Sequence, residues 1–339
     1  MTDLAFSGAG HIASVHGLAA RAAGVTITKV ASRDHGHATE RAREMGAEAC
    51  EYADLPAGAD IVFVATPPAN HVNDAIQALQ GGAAAIVEKP VATTLEDADR
   101  LVAAAAASGG RVGYAENLAF APVVQAMLAR IGDLGPIHHL ELRSLQARPN
   151  WGDFLEESWG GGALFDLGAH PIALALLLAG SAKPVEVSAN LKGAVDIAAD
   201  DYAEVTLTFD SGLQVELTVS WRHPDDQVWD IEAASSTGVL RAELIPNLSL
   251  EINGEPVALP AERDGLPSPL LERMGYVGQI EAFTADFAAG REPEMNATFA
   301  RDVLDIICGA YQSSANNGRP RPLPFNGHRD RTPLQLWLD

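Results

Sequence analysis

Cysteine is nearly missing from this chain: among 339 residues only Cys50 and Cys308 occur, far apart and without metal-type spacing around them. Neither a disulfide framework nor a zinc site is expected. Long apolar runs are missing too. The longest, 172–179, is far short of the roughly 20 residues a spanning helix needs, which excludes a transmembrane segment. Cations are scarce, with 23 Lys and Arg against 45 Asp and Glu and a net charge of −22. Such an excess repels phosphate backbones and anionic lipid surfaces, so no nucleic-acid or membrane partner is expected. The first ten residues lack the basic start and apolar core of a signal peptide, and a cytoplasmic location is the expectation. What is present is a hydrophobic fraction of 47% with 20% charged residues, the balance of a folded protein rather than a disordered one. A chain this long usually splits its core, and two domains are expected.

Up to about residue 121 short apolar runs alternate with longer helical patterns, the rhythm of βαβ units. Strands are expected at 4–7, 25–31, 61–65, 84–88 and 111–114. Near-continuous apolar strands such as Ile61-Val62-Phe63-Val64-Ala65 suit a parallel sheet covered on both faces. Thr93-Thr94-Leu95-Glu96 reads as a capping box with Thr93 as N-cap, opening a helix through the following alanines. The first domain is expected to span 1–121. From 122 to 339 the pattern changes. Ala203, Val205, Leu207 and Phe209 alternate with polar residues, as do Leu213, Val215, Leu217, Val219 and Trp221, and Asp210-Ser211-Gly212 between them predicts a hairpin in an antiparallel sheet. Asn253-Gly254 predicts another. Helices are expected at 162–179, 276–289 and 298–316, and an irregular tail from Gly318 with its Pro320, Pro322 and Pro324.

Gly8-Ala9-Gly10-His11-Ile12-Ala13 follows the first strand and opens the first helix. In G-x-G-x-x-A, Gly8 allows the tight turn, Gly10 lets a pyrophosphate approach the backbone, and Ala13 lets the helix pack closely on the strand. In isolation such a run is also an ordinary glycine-rich turn; its place at the first βα junction points to a dinucleotide. An NAD site usually carries an acid at the end of the second strand to hold the ribose hydroxyls. Here that position reads Ala31-Ser32-Arg33-Asp34. Ser32 and Arg33 suit a 2′-phosphate and favour NADP, while Asp34 keeps NAD open.

Ala84-Ala85-Ile86-Val87-Glu88-Lys89-Pro90 puts an acid and a lysine at the C-terminal end of a buried strand, the edge where open parallel sheets bind ligands. A lysine there can donate to a substrate oxygen; a surface Glu-Lys pair is the alternative. Further on, Gly160-Gly161-Gly162-Ala163-Leu164-Phe165-Asp166-Leu167-Gly168-Ala169-His170 combines a glycine cluster with the start of an apolar helix. Asp166 and His170, four apart, share one helical face. Polar groups on so apolar a segment need partners, and a carboxylate orienting an imidazole is an acid/base arrangement. A metal site lacks an obvious third ligand, and a satisfied core histidine is the remaining alternative.

Taken together, these segments resemble the Gfo/Idh/MocA family (glucose-fructose oxidoreductase, inositol dehydrogenase, rhizopine catabolism). The resemblance rests on the glycine run with His16 after it, Ala65-Thr66-Pro67-Pro68-Ala69-Asn70-His71, Glu88-Lys89-Pro90, the segment 160–170, and Gly278-Gln279-Ile280-Glu281-Ala282-Phe283 followed by Gly290. It implies an α/β chain: an N-terminal Rossmann doubly wound parallel sheet, then a C-terminal α/β domain on a large open, mainly antiparallel sheet that commonly forms the interface of a homodimer or tetramer. It further implies that Lys89, Asp166 and His170 are catalytic and touch substrate beside the nicotinamide: His170 takes the alcohol proton, Lys89 polarises the reacting oxygen, and Asp166 positions and charge-balances the pair. Along the cofactor it places Gly8, Ala9, Gly10, His11, Ile12, Ser32, Arg33, Ala65, Thr66, Pro67, His71, Glu88 and Lys89, with Asn117 towards the nicotinamide. Two departures stand out. Pro171-Ile172-Ala173 lacks the aspartate that often stands two positions after the histidine, and Ala119 replaces an arginine many members carry.

Arg148 and Trp151 are candidate substrate contacts by position, as are Asp153, Trp221, Arg222 and His223, since polar groups beside flat aromatic surfaces suit a sugar. The expected function is NAD(P)-dependent oxidation or reduction of a secondary alcohol or ketone in a sugar, cyclitol or polyol. A redox-neutral glycosidase or lyase with tightly held cofactor, and a non-enzymatic sugar sensor, are the alternatives; a sensor has no need to keep Lys89, Asp166 and His170 together.

Overall fold

The computed structural model describes residues 2–150, 152, 154, 156, 159–194 and 198–338. They form two compact units, one of Met1–Ala92, Glu96–Phe120 and Glu262–Arg301, the other of Thr93–Leu95, Ala121–Ala261 and Asp302–Asp339.

In the first unit β1 (Asp3–Ser7), α1 (His11–Ala22), β2 (Thr26–Ala31), α2 (His35–Met45), β3 (Glu48–Ala49), β4 (Ile61–Val64), α3 (Pro68–Gln80), β5 (Ala84–Glu88), α4 (Leu95–Ala107) and β6 (Val112–Ala115) follow in turn. The sheet is parallel throughout in the order β3-β2-β1-β4-β5-β6. Strand order reverses between β1 and β4, the switch point where doubly wound sheets open a crevice at the carboxyl ends of their strands. The five predicted strands are present with ends moved by one residue at most. All residues of β4, β5 and β6 are buried, which is why these stretches read as continuous apolar runs. The two-residue β3 was not predicted, because so short a segment has no period to detect. Helix α4 begins one residue later than a cap at Thr93 requires.

The second unit contributes α5 (Pro122–Arg130), β7 (Ile137–Leu145), α6 (Ala163–Asp166), α7 (Ala169–Ala179), β8 (Pro184–Lys192), β9 (Tyr202–Phe209), β10 (Gln214–Ser220), β11 (Val228–Ser235), β12 (Val239–Ile245), β13 (Ser249–Ile252) and β14 (Glu255–Pro256). Next come α8 (Leu270–Arg273) and α9 (Tyr276–Ala288) of the first unit, then α10 (Ala297–Ala315), β15 (Arg321–Pro322) and α11 (Pro333–Leu338). The second sheet has nine strands in the order β14-β13-β12-β11-β7-β10-β9-β8-β15, with β7 and β10 its parallel pair. Both predicted hairpins form. Thr208 pairs with Gln214 across the turn at 210–212, and Asn253 and Gly254, at φ +54° and +80°, give the left-handed pair that a two-residue hairpin needs. One face of this sheet buries Val205, Leu207, Phe209, Val215, Leu217 and Val219. On the other, Arg143 opposes Asp230 and Arg241 opposes Glu232 in register, so neighbouring strands offset each other's charge.

Two expectations are corrected. The single helix at 162–179 is two, α6 and α7, because the N–H of Gly168 reaches back five residues to the carbonyl of Ala163 (3.1 Å). The tail from Gly318 is not wholly irregular: Arg321 and Pro322 pair with Val187 and Glu186 at the sheet edge, where a proline lacking its N–H is tolerated, and α11 follows. No helix among the described residues is long and apolar enough to cross a membrane.

Ile86 lies fully buried at the middle of β5, so Ile86→Ala is expected to lower the unfolding free energy by about 2–5 kcal/mol, read from the urea midpoint.

Candidate functional site

In the first unit, Gly8 leaves β1 at φ +109° and donates its N–H to the carbonyl of Ala31 (2.9 Å). A Cβ at this position would lie 2.6 Å from the carbonyl oxygen of Ala65, so both the conformation and the space demand glycine. Gly10 caps α1 without a side-chain hydrogen bond, and a Cβ built on it would meet nothing within 4 Å. An open approach to the N-terminus of a twelve-residue helix fits the pyrophosphate of a dinucleotide. His11 and Ile12 form the first turn of α1, and Ala13 behind them is fully buried. The carbonyl of Ala9 accepts from Nε of Arg41 (3.2 Å).

The loop after β4 is braced. Ala65 donates its N–H to Ser7 (2.8 Å), and the hydroxyls of Thr66 and Ser7 both donate to Oδ2 of Asp74 (2.8 and 2.9 Å). Pro67 then caps α3. Beyond β2, Ser32 is half-buried and Arg33 exposed. The carboxylate of Asp34 accepts the N–H of His37 (3.0 Å) as the cap of α2, and backbone hydrogen bonds from His37 and Gly36 hold its pKa below the ordinary value. Asn117 donates its side-chain amide to the carbonyl of Met274 (2.7 Å).

Lys89 is half-buried directly after β5, and buried polar groups flank it. Glu88, 5% exposed, pairs through Oε1 with Nε2 of the fully buried His16 and through Oε2 accepts the N–H of Lys89 (2.9 Å). Burial alone would raise the pKa of Glu88. The hydrogen bond from His16 and the charge of Lys89 outweigh it and hold the carboxyl below its usual range. On the other side of Lys89, buried His71 faces two carbonyls, Pro90 through Nδ1 (2.8 Å) and Thr66 through Nε2 (2.6 Å). Burial lowers the pKa of His71, while these carbonyls and the carboxylates of Glu88 and Asp74 pull the other way. Burial prevails, and the neutral ring donates to one of these carbonyls at a time. The histidine thus sits between the loop after β4 and the segment after Lys89.

In the second unit Asp166 ends α6 and His170 lies in the first turn of α7, 5% and 6% exposed. The approach to α6 is held by Asp200, which is completely buried. Its carboxylate accepts the N–H groups of Gly162 (3.1 Å) and Leu164 (2.8 Å) and the hydroxyl of Tyr311, and its backbone carbonyl accepts from Ala163 (2.9 Å). Burial pushes the Asp200 carboxyl up to about 6 against these hydrogen bonds. A Cβ on Gly162 would sit 2.0 Å from the Asp200 carbonyl oxygen, which is the physical reason for glycine there. The indole of Trp229 packs on the His170 ring, with centroids 5.6 Å apart.

The other sequence candidates are placed less centrally. Arg148 is exposed on the loop after β7. Trp221 is buried, Arg222 pairs with Asp201 (2.5 Å) and lies over the Tyr202 ring, and His223 pairs with Asp226 (3.2 Å). Trp151 and Asp153 lie outside the described residues. Among the described residues no group of three or more His, Cys, Asp or Glu is placed to hold a metal ion. The sequence reading missed Asp200, Tyr311 and Trp229 as parts of the second unit's arrangement. The buried acid just before an alternating strand was the one available signal, and nothing local marked the other two.

Comparison with known proteins follows the same division. Residues 3–116 match the family model described as the oxidoreductase family with NAD-binding Rossmann fold, and residues 124–241 match the GFO/IDH/MocA C-terminal domain. A protein of Amycolatopsis mediterranei (strain S699), named as a candidate UDP-kanosamine synthase oxidoreductase subunit, is 30% identical over 77% of this chain and 80% of its own length. D-glucoside 3-dehydrogenase of Escherichia coli (strain K12) is 32% identical over 36% of each chain. Among solved structures, GenD2 from gentamicin A biosynthesis, in complex with NAD, superposes with a TM-score of 0.84 at 25% identity, covering 96% of this chain and 97% of that one.

The depressed pKa of Glu88 makes a pH prediction. A carboxyl whose folded value lies below its ordinary value of 4.5 contributes stability that is complete above that value and is lost as the pH falls through the folded one. Urea midpoints measured from about pH 6 down to about pH 3 are expected to fall more steeply in the wild type than in Glu88→Gln.

Proposed function

Since the chain belongs to the Gfo/Idh/MocA family of NAD(P)-dependent oxidoreductases, we propose that it oxidises or reduces a CH–OH carbon of a sugar, cyclitol or polyol derivative. The bound nicotinamide supplies the hydride acceptor or donor. In the oxidative direction His170 takes the proton of the alcohol, Lys89 donates to the reacting oxygen as it gains negative charge, and Asp166 orients and charge-balances the imidazole. The observation that carries this reading is the burial of Asp166 and His170 on an otherwise apolar segment, together with a lysine at the ligand edge of a parallel sheet. Charged or titratable groups at such positions weaken a core unless partners hold them, and groups held in this way beside a ligand edge are candidates for chemistry. The names of the relatives support a carbohydrate substrate, since D-glucoside 3-dehydrogenase acts on a sugar ring.

NADP is the proposed cofactor. Asp34 spends its carboxylate on capping α2, whereas Ser32 and Arg33 stand at the end of β2 where a 2′-phosphate would lie, and a guanidinium offers that phosphate paired donors.

The test is nicotinamide absorbance on adding the protein to a panel of sugars and polyols with NADP and NAD separately, in both directions. Turnover is expected to fall by about 100-fold or more in Lys89→Ala and in His170→Ala, the scale at which acid/base groups contribute. Wild-type rates in both variants would overturn the mechanism. In fluorescence titrations Arg33→Ala is expected to weaken NADPH binding by about tenfold, the loss of one charge-assisted contact, while leaving NADH binding within about twofold. Unchanged NADPH affinity would overturn the cofactor assignment.

A further inference from the structure

Lys89 can act on a substrate oxygen only if its backbone is held at a fixed distance from the cofactor's seat, and a buried histidine outside the proposed chemistry provides that link. We propose that His16 is a positioning residue for Lys89, acting through the carboxylate of Glu88. The inference rests on the reading of Lys89 as the group that polarises the substrate oxygen.

His16 lies on α1, six residues beyond the Gly10 cap, with no exposed surface. Its ring is confined by Phe63 of β4, centroids 4.1 Å apart, and by the edge of Tyr276 of α9 at 5.2 Å and an interplanar angle of 78°. Nε2 meets Oε1 of Glu88, and Nδ1 has no hydrogen-bond partner among the described residues. The tautomer that donates from Nε2 and leaves Nδ1 as a bare lone pair avoids a buried orphan N–H, the costlier defect. His16 therefore acts as a donor to an ionised carboxylate.

That carboxylate has a second duty. Its Oε2 accepts the N–H of Lys89 at 2.9 Å, so one planar group receives two donors at once, and any rotation that breaks one contact breaks the other. Helix α1 carries the glycine turn at its start and His16 further along the same rigid rod. The chain of contacts from α1 to His16, to Glu88, to the Lys89 backbone fixes the lysine relative to the turn that seats the cofactor. Without the His16 donor, the buried Glu88 carboxylate loses its charge-assisted partner and is driven to reorient or take up a proton, and the Lys89 N–H loses its acceptor. Misplacement by about 1 Å is enough to lower a rate about 100-fold.

The experiment combines hydrogen exchange on the free protein with kinetics. In His16→Leu the Lys89 amide is expected to exchange at least about tenfold faster, while the amide of Val87 within the sheet keeps its protection. With the best substrate of the sugar panel, kcat falls about 10- to 100-fold, and KM and the NADPH dissociation constant stay within about threefold. His16→Gln, whose amide can donate to Glu88, restores both the protection and most of kcat. Glu88→Gln is a second disruption, needed if His16→Leu fails to fold: its NH2 must face one of the two donors, and it too is expected to speed Lys89 exchange. A Lys89 amide that stays protected in both disrupted variants overturns the proposal. So does a loss confined to KM or cofactor affinity, or a Gln variant as slow as the Leu variant. Full turnover in Lys89→Ala would instead overturn the function of Lys89, and the exchange measurement would still decide whether His16 fixes its backbone.

Discussion

A carboxylate kept ionised inside a protein core is the constraint around which the first unit is arranged. Glu88 ends the buried strand β5, and desolvation there opposes its charge. The fold answers with His16 from α1 and the main chain of Lys89, each donating to a different oxygen. Such a group destabilises strongly if one partner is lost, because the remaining charge is left buried and unpaired. His16, which meets this requirement from α1, has no exposed surface. It also brings the glycine turn and Lys89 into one rigid assembly at the carboxyl edge of the sheet.

The same physical device recurs in the second unit with different chemistry. Asp200 is buried and is offset by main-chain N–H groups and the Tyr311 hydroxyl rather than by a cation among the described residues. Its donors come from the glycine cluster that leads into α6, so the acid shapes the backbone approaching Asp166. Gly162 meets the Asp200 carbonyl too closely for any side chain, and the wider hydrogen bond at Gly168 then separates α6 from α7. Asp166 and His170 thus stand on two short helices, oriented by the packing of Trp229 on the imidazole and by the break between the helices, rather than by regular helical spacing alone.

Much of this was legible locally. The Gly8–Gly10 turn, the apolar strands β4 and β5, the Asn253-Gly254 hairpin and the alternation of β9 and β10 each depend on neighbours a few residues away, and their physical demands leave a mark in composition and period. The family resemblance, carried by segments around Gly8, Lys89 and Asp166, extended that reading to the two-part architecture. Less legible were β3 and β15, short edge strands whose pairing partners supply the hydrogen bonds that define them. The helix break at Leu167–Gly168 was hidden because Asp166 and His170 at spacing four look the same whether or not the helix is continuous.

The sequence by itself determined the apolar runs that become the buried strands, the turn that needs glycine at Gly8, and the placing of a lysine after β5 and of an acid and a histidine four apart, since those follow from residue type and short-range spacing. Only the tertiary structure decided what His16, His71, Asp200 and Tyr311 do. Their partners lie 72 residues away for His16 and Glu88 and 111 for Asp200 and Tyr311, and a hydrogen bond between buried groups that far apart in the chain is fixed by packing and desolvation, neither of which a one-dimensional pattern contains.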